Sequence, residues 1–238
     1  MDFPKLNAPS LKELFVRELE HMILSGKLAV GVKLPSEREL ASSMQVSRAV
    51  VNAGLSEMAA KGFVEIRPRA GVYVADFRRR GTIDTLLSIM RYNGGVLRKS
   101  EIRSLLELRL VMENLAMELA IPRLTQDDVQ RLGTLCDSFG ASEDDPERAA
   151  GFVFEFHHEL CVLSGNTLLP LIFYSFREPV ISLWERYLRL HGVARLHKNT
   201  ANLFDCIRRR DLAAAVDCFT RSIRDTIEGG ASIYFDQD

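Results

Sequence analysis

Residues 34–74, LPSERELASSMQVSRAVVNAGLSEMAAKGFVEIRPRAGVYV, constrain the fold more than any other stretch of this chain. Pro35-Ser36 interrupts what precedes it. Ser36 followed three residues later by Glu39 is a capping box, in which each side chain satisfies an orphan backbone donor of a helix's first turn. A short helix is therefore predicted over about Glu37–Ser43. Met44-Gln45-Val46 leaves room only for a tight turn between two helices. Ser47 then caps a second helix to about Lys61, with Gly62 as its stop. A short helix, a three-residue turn and a longer helix are the proportions of a DNA-binding helix-turn-helix. The start of the second helix carries Ser47, Arg48 and Asn52, groups able to reach phosphates and base edges from a major groove. Phe63-Val64-Glu65-Ile66 and Val72-Tyr73-Val74 alternate apolar and polar residues, as strands do. Between them Arg67-Pro68-Arg69-Ala70-Gly71 forms a basic turn, so the hairpin reads as a wing. A plain three-helix bundle with an unused hairpin is the competing reading. Caps, turn length, basic positions and hairpin agree on DNA instead.

A net charge of −1 over 238 residues would not by itself suggest nucleic acid. The charge is divided unevenly, however. Residues 1–80 hold 13 Lys+Arg against 9 Asp+Glu, and the remainder 18 against 23. A basic N-terminal domain on an acidic C-terminal one fits DNA at one end and another task at the other. Cys136, Cys161, Cys206 and Cys218 form no C-x-x-C pair, which argues against a zinc ribbon or redox motif and for reduced thiols on helices. MDFPKLNAPS lacks the apolar core of a signal peptide, and no apolar run reaches membrane-spanning length. The expected location is the bacterial cytoplasm, with the nucleoid, and no membrane partner.

A first helix is predicted over about Ser10–Ser25, with Leu11, Leu14, Phe15, Leu19, Met22 and Ile23 on one face. Lys27–Leu34 reads as strand-like, and Asp76–Gly81 as a linker with an arginine triplet, placed equally well on phosphate or in solvent. Beyond Thr82 no strand is convincing. Helices are expected near 82–92, 98–121, 126–140, 146–164, 167–190, 194–209 and 211–228, broken at Asn93-Gly94-Gly95, Pro122, Gly140 to Pro146, Gly165-Asn166 and Gly192. Pro170 and Pro179 should trim or kink the fifth of these. The expected fold is mainly α. A winged helix-turn-helix domain (1–77) and a linker or connecting helix (78–95) precede an all-helical effector-binding and dimerisation domain of six or seven helices (96–238).

With these pieces in place the chain resembles a GntR-superfamily transcriptional regulator of the FadR subfamily, over nearly its whole length. The likeness rests on LPSERELA, VSRAVV and GFVEIRPRAGVYV in the first domain. In the second it rests on the R-x-x-x-E of Arg109 and Glu113, and on Phe156-His157-His158-Glu159-Leu160 followed by Ser164-Gly165-Asn166. The resemblance implies a homodimer on a short pseudo-palindromic operator, with a small-molecule effector in the helical domain; whether it represses or activates is left open. It places Arg38, Ser47, Arg48 and the wing around Arg67 and Arg69 on DNA. The family usually has arginine where this chain has Asn52, and a wing glycine where it has Arg69 with a basic residue near Ala70.

Many relatives hold a divalent metal with an Asp four residues before the F-H histidine, that histidine, and two later ones. Here these positions are Val153, His157, Thr200 and Ser222, with His197 three residues before Thr200. One imidazole does not hold zinc, so no metal and no cofactor are expected. The effector is then either a fatty acyl-CoA or a small organic or sugar acid. Phe152, Phe154, Phe156, Phe173, Phe176 and Trp184 could line an acyl tunnel or simply pack the core. An anionic head group wants a buried cation, for which Arg109 and then Arg177 are candidates. Glu113, His157 and Asn166 complete the expected effector set. The rival functions are an effector-independent architectural DNA-binding protein and a helical His-dependent enzyme. The enzyme is disfavoured because no nucleophile–base–orienter set is legible.

Overall fold

The computed structural model describes residues 9–92, 97–142 and 144–234. The expected break at Asn93-Gly94-Gly95 lies outside them. The chain forms two compact units, divided between residues 96 and 97.

In the first unit, α1 (Leu11–Leu24) starts at a capping box of Ser10 and Glu13 and buries Phe15, Val16, Leu19 and Ile23. The second capping box, Ser36 with Glu39, opens α2 (Glu37–Ser43). α3 (Arg48–Ala60) begins at Ser47, whose Oγ accepts from the Val50 amide at 3.3 Å. The turn between α2 and α3 closes through a bond from Val46 N to Ala41 O at 3.0 Å, with Gln45 in the left-handed region at φ +52. α1 and α3 pack so closely that a Cβ on Gly54 would lie 2.3 Å from the Phe15 ring. β1 (Val64–Arg67) and β2 (Gly71–Val74) pair antiparallel, from Val64 opposite Val74 to Arg67 opposite Gly71. The strand-like Lys27–Leu34 segment makes only an isolated bridge, Lys33 to Tyr73. The reason is a turn: Gly31 has φ +83 and Val32 N bonds back to Ala29 O, leaving little of the segment extended. The expected linker contains one helical turn, α4 (Phe77–Arg80), before α5 (Ile83–Arg91). α5 belongs to this unit. Thr85 Oγ1 donates to Lys61 O, and Ser88 Oγ donates to Glu20 Oε1 at 2.9 Å.

In the second unit α6 (Lys99–Ala120) ends in a 3-10 turn (Ile121–Arg123). Then follow α7 (Gln126–Gly140), α8 (Pro146–Leu163), α9 (Leu169–Ser175), α10 (Arg177–His191), α11 (Val193–Arg208) and α12 (Leu212–Glu228). α8 is central, packed against α6, α7, α9, α10 and α11, and α12 closes against α6 and α11. The single helix expected over 167–190 is two, joined at Phe176. Pro179 explains the break: its ring would clash with the Ser175 carbonyl of a continuous helix and it has no N–H to give. Phe139, Phe154, Phe156 and Phe173 are fully buried.

Candidate DNA interface and effector cavity

α3 is amphipathic in a useful way. Val51, Gly54, Leu55 and Met58 face the core, while Ser47, Arg48 and Asn52 are exposed. Arg48 and Asn52, four apart, share one outward face of the first two turns. The helix's own N-terminal amides lie beside them and favour an anion. Arg38 on α2 and Arg69 in the hairpin turn are also exposed. That turn has Pro68 second, Arg69 third at φ +63, and a bond from Ala70 N to Arg67 O at 3.0 Å, the pattern of a type II turn. Its third position prefers glycine, so Arg69 carries a cation at a conformational cost. Arg67 is tethered, ion-paired to Glu65 at 3.1 Å and lying 4.3 Å from the Tyr73 ring centroid. In the arginine triplet, Arg79 pairs with Asp76 and Arg80 with Glu65.

The second unit collects its functional groups inside. Arg109, Glu113 and His157 are only 4%, 2% and 6% exposed. Arg109 Nε donates to Glu113 Oε1 at 2.8 Å, and His157 Nδ1 meets Glu113 Oε2. The indole of Trp184 covers both partners of Glu113: Arg109 Cζ lies 4.3 Å from its centroid, and the His157 ring stacks on it at 5.3 Å. Burial alone would push the Glu113 carboxyl up, but Arg109 and His157 together hold it below the ordinary carboxylate range. Among the described residues Arg109 hydrogen-bonds only through Nε, which leaves its terminal nitrogens for a ligand.

Arg109, His157 and Trp184 line a cavity of about 40 Å³, with Glu113 behind them. Its far wall is polar in a way composition does not announce: Asn199 and Thr200 from α11, Ser222 and Thr226 from α12. Asn199 Nδ2 donates to Ser222 Oγ at 3.4 Å. Tyr187 also lines the space, and its buried hydroxyl has no hydrogen-bond partner among the described residues. A buried orphan hydroxyl facing a cavity is a recognisable invitation to a polar ligand.

Not every expected residue is here. Asn166 does not line this cavity. Its Oδ1 accepts from Leu168 and Leu169 N, fastening the start of α9. Arg177 lies over Phe154 and lines a separate surface hollow with Asp145 and Glu185. Of the six aromatics considered for a tunnel, only Trp184 lines the cavity; Phe154 packs on Phe173 at 5.4 Å. His158 stacks near Phe154 and Tyr174, and His197 meets Phe139 edge-on. Among the described residues no three His, Cys, Asp or Glu side chains gather as a metal site, and no helix is long and apolar enough to cross a membrane. Sequence reasoning missed Tyr187, Asn199 and Thr226. The available signal was polar residues set inside otherwise apolar helical stripes, such as Leu196, Asn199, Thr200 and Leu203.

A winged helix-turn-helix joined to a helical domain with a polar internal cavity defines a ligand-linked DNA-binding regulator rather than an enzyme. Residues 11–74 match the family described as "Bacterial regulatory proteins, gntR family", and residues 104–225 match the FCD domain. The chain belongs to the GntR family of bacterial transcriptional regulators, in the group that carries an FCD ligand-binding domain. It is 28% identical to the HTH-type transcriptional regulator LutR of Bacillus subtilis, across 91% of this chain and 99% of LutR. It is 32% identical to the HTH-type transcriptional regulator Mce2R of Mycobacterium tuberculosis, across 73% of this chain and 72% of Mce2R. A solved Listeria monocytogenes regulator, Lar, shares the fold at TM-score 0.62 and 14% identity, covering 93% of this chain and 97% of Lar.

Proposed function

We propose that this regulator is a cytoplasmic, homodimeric repressor that binds a short pseudo-palindromic operator and responds to a small hydroxylated carboxylate. Arg48 and Asn52 read base edges, Ser47 and Arg38 hold phosphates, and Arg69 with Arg67 sets the wing on the backbone. The dimer is supported by an exposed apolar stripe on α6: Leu108, Val111, Leu115 and Leu119 at helical spacing, Val111 being 68% exposed. The observation that carries the effector reading is the Arg109–Glu113–His157 cluster under Trp184. A buried charge cluster costs desolvation energy and adds little stability, so its place at a cavity wall speaks for binding over architecture. Arg109 would take the carboxylate, while Asn199, Thr200, Ser222, Thr226 and Tyr187 would take hydroxyls. An acyl-CoA fits poorly, because of the aromatics that could have lined its tunnel only Trp184 reaches the cavity.

Two measurements test the reading together. Operator binding is followed by fluorescence anisotropy while glycolate, lactate, gluconate and palmitoyl-CoA are titrated in turn. A hydroxy acid should shift the operator Kd, and Arg109→Ala should abolish that shift while leaving operator affinity in its absence unchanged. A response to palmitoyl-CoA alone, or an Arg109→Ala protein that responds with unaltered effector affinity, overturns it.

A further inference from the structure

The groups that must meet an effector are almost completely buried, and the space before them holds no more than a few waters. Some wall has to move for any organic acid to bind. Five of the walls are helices, α6, α8, α10, α11 and α12, each anchored in the core by its own apolar stripe. The sixth is not a helix. After α12 the chain passes Gly229-Gly230 and folds back as Ala231–Tyr234, burying Ala231 and Ile233 at 1% and 2% exposure. Ile233 lines the cavity.

This returning segment is held in an unusual manner. Its carbonyls are gripped by side chains instead of a backbone ladder. Arg186 Nε donates to Ile233 O at 2.5 Å and Arg186 Nη2 to Tyr234 O at 2.7 Å. A His191 Nε2 contact reaches Ser232 O at 2.9 Å, and Arg195 Nη1 donates to Gly230 O at 3.4 Å. Arg186 and His191 belong to α10, the helix that also supplies Trp184 and Tyr187 to the cavity. The Gly229 and Gly230 amides bond to Asp225 O and Oδ1 at 2.9 and 3.0 Å, which fixes the start of the segment, and the open space about Gly230 gives it a pivot there. We propose that residues 229–234 form a movable strap, with Ile233 as the plug of the effector cavity and Arg186 as its latch. Releasing the strap withdraws one side chain from the cavity and opens a path to Arg109 and Trp184, while the five helices keep their packing. A local opening of this kind is far less costly than unfolding a helix. The inference rests on the effector-cavity reading, yet its test uses no effector, so either can fail alone.

Trp184 is the chain's one tryptophan, and Cys218 lines the same cavity from α12. Cys218 is half-buried, and burial with the neighbouring Cys206 raises its thiol, so its alkylation starts slow and has room to rise as the cavity opens. The experiment compares full-length protein with Arg186→Gln and Ile233→Ala. Acrylamide quenching reports access to Trp184, and iodoacetamide labelling with peptide mapping reports access to Cys218. Both should rise by roughly threefold or more in each variant, with Cys136 and Cys161 labelling unchanged. Unchanged access in Arg186→Gln overturns the latch, because Ile233 would then be a fixed wall. A parallel rise at Cys136 and Cys161 also overturns it, since the segment would be part of the core. Should a variant fail to fold, hydrogen exchange of the unmodified protein decides: amides 231–234 must exchange faster than those of α11 and α12.

Discussion

Arg48 and Arg109 are the same residue in opposite solvents. Arg48 stands in water on the first turn of α3, while Arg109 is 4% exposed and wedged between Glu113 and Trp184. On the proposed function the difference follows from their partners. DNA is a polyanion that brings its own field, and a surface cation gains by displacing its counterions. A small acid brings one charge, which a solvated arginine would hold weakly; the cation must be kept dry and already oriented. Keeping it dry requires Glu113, whose carboxylate pairs with Arg109.

The largest test of this contrast is Glu113→Gln. It leaves Arg109 buried without its carboxylate and should cost about 3–5 kcal/mol of unfolding free energy at neutral pH in urea titrations. The pH dependence has a definite sign. Glu113 is held below its ordinary range by Arg109 and His157 against the opposing effect of burial, so it contributes fully above that range and loses its contribution as pH falls through the folded value. The gap between native protein and Glu113→Gln should therefore narrow below about pH 4. A gap that stays constant from pH 7 to pH 3 would mean that Glu113 is not the ionised partner of Arg109. Arg48→Ala comes next, with ~1–3 kcal/mol lost in operator discrimination and no change in stability. Equal loss on operator and scrambled DNA would demote Arg48 to a phosphate contact. Smallest is Arg69→Gly. Relief of the positive φ should stabilise the first unit by about 1 kcal/mol while operator affinity falls. A variant that binds operator as well as the native protein would show that the wing cation is idle.

The two regions were also unequally legible in the sequence. The helix-turn-helix declares itself because its determinants are local: Ser36 with Glu39, the turn at Gln45, the cap at Ser47. Arg109 and Glu113 could be paired from their spacing on one helix face. The rest of the cavity is made by tertiary packing. Trp184 meets Arg109 only because α10 and α6 both lie against α8, and Thr200 faces Ser222 only because α11 and α12 pack together. Asn166 and Arg177 show the opposite error. They stand close in sequence to plausible site residues, yet local backbone geometry spends Asn166 on the start of α9 and a separate hollow takes Arg177. Pro179 was readable as a disturbance, but only the two flanking helices reveal a full break.

The bond from Thr85 to the Lys61 carbonyl has a mechanical meaning. Lys61 is the last residue against the end of α3, and its ammonium also reaches Glu20, which Ser88 of α5 holds. α5 is thus held to the base of the recognition helix directly through Thr85 and indirectly through Ser88 and Glu20 of α1. Two clamps transmit torque where one would act as a swivel. A nine-residue helix is a lever of roughly 13 Å, so a tilt of about 10° at its far end displaces that end by roughly 2 Å and is delivered to α3 as rotation. Whatever pushes on α5 therefore turns the reading head itself.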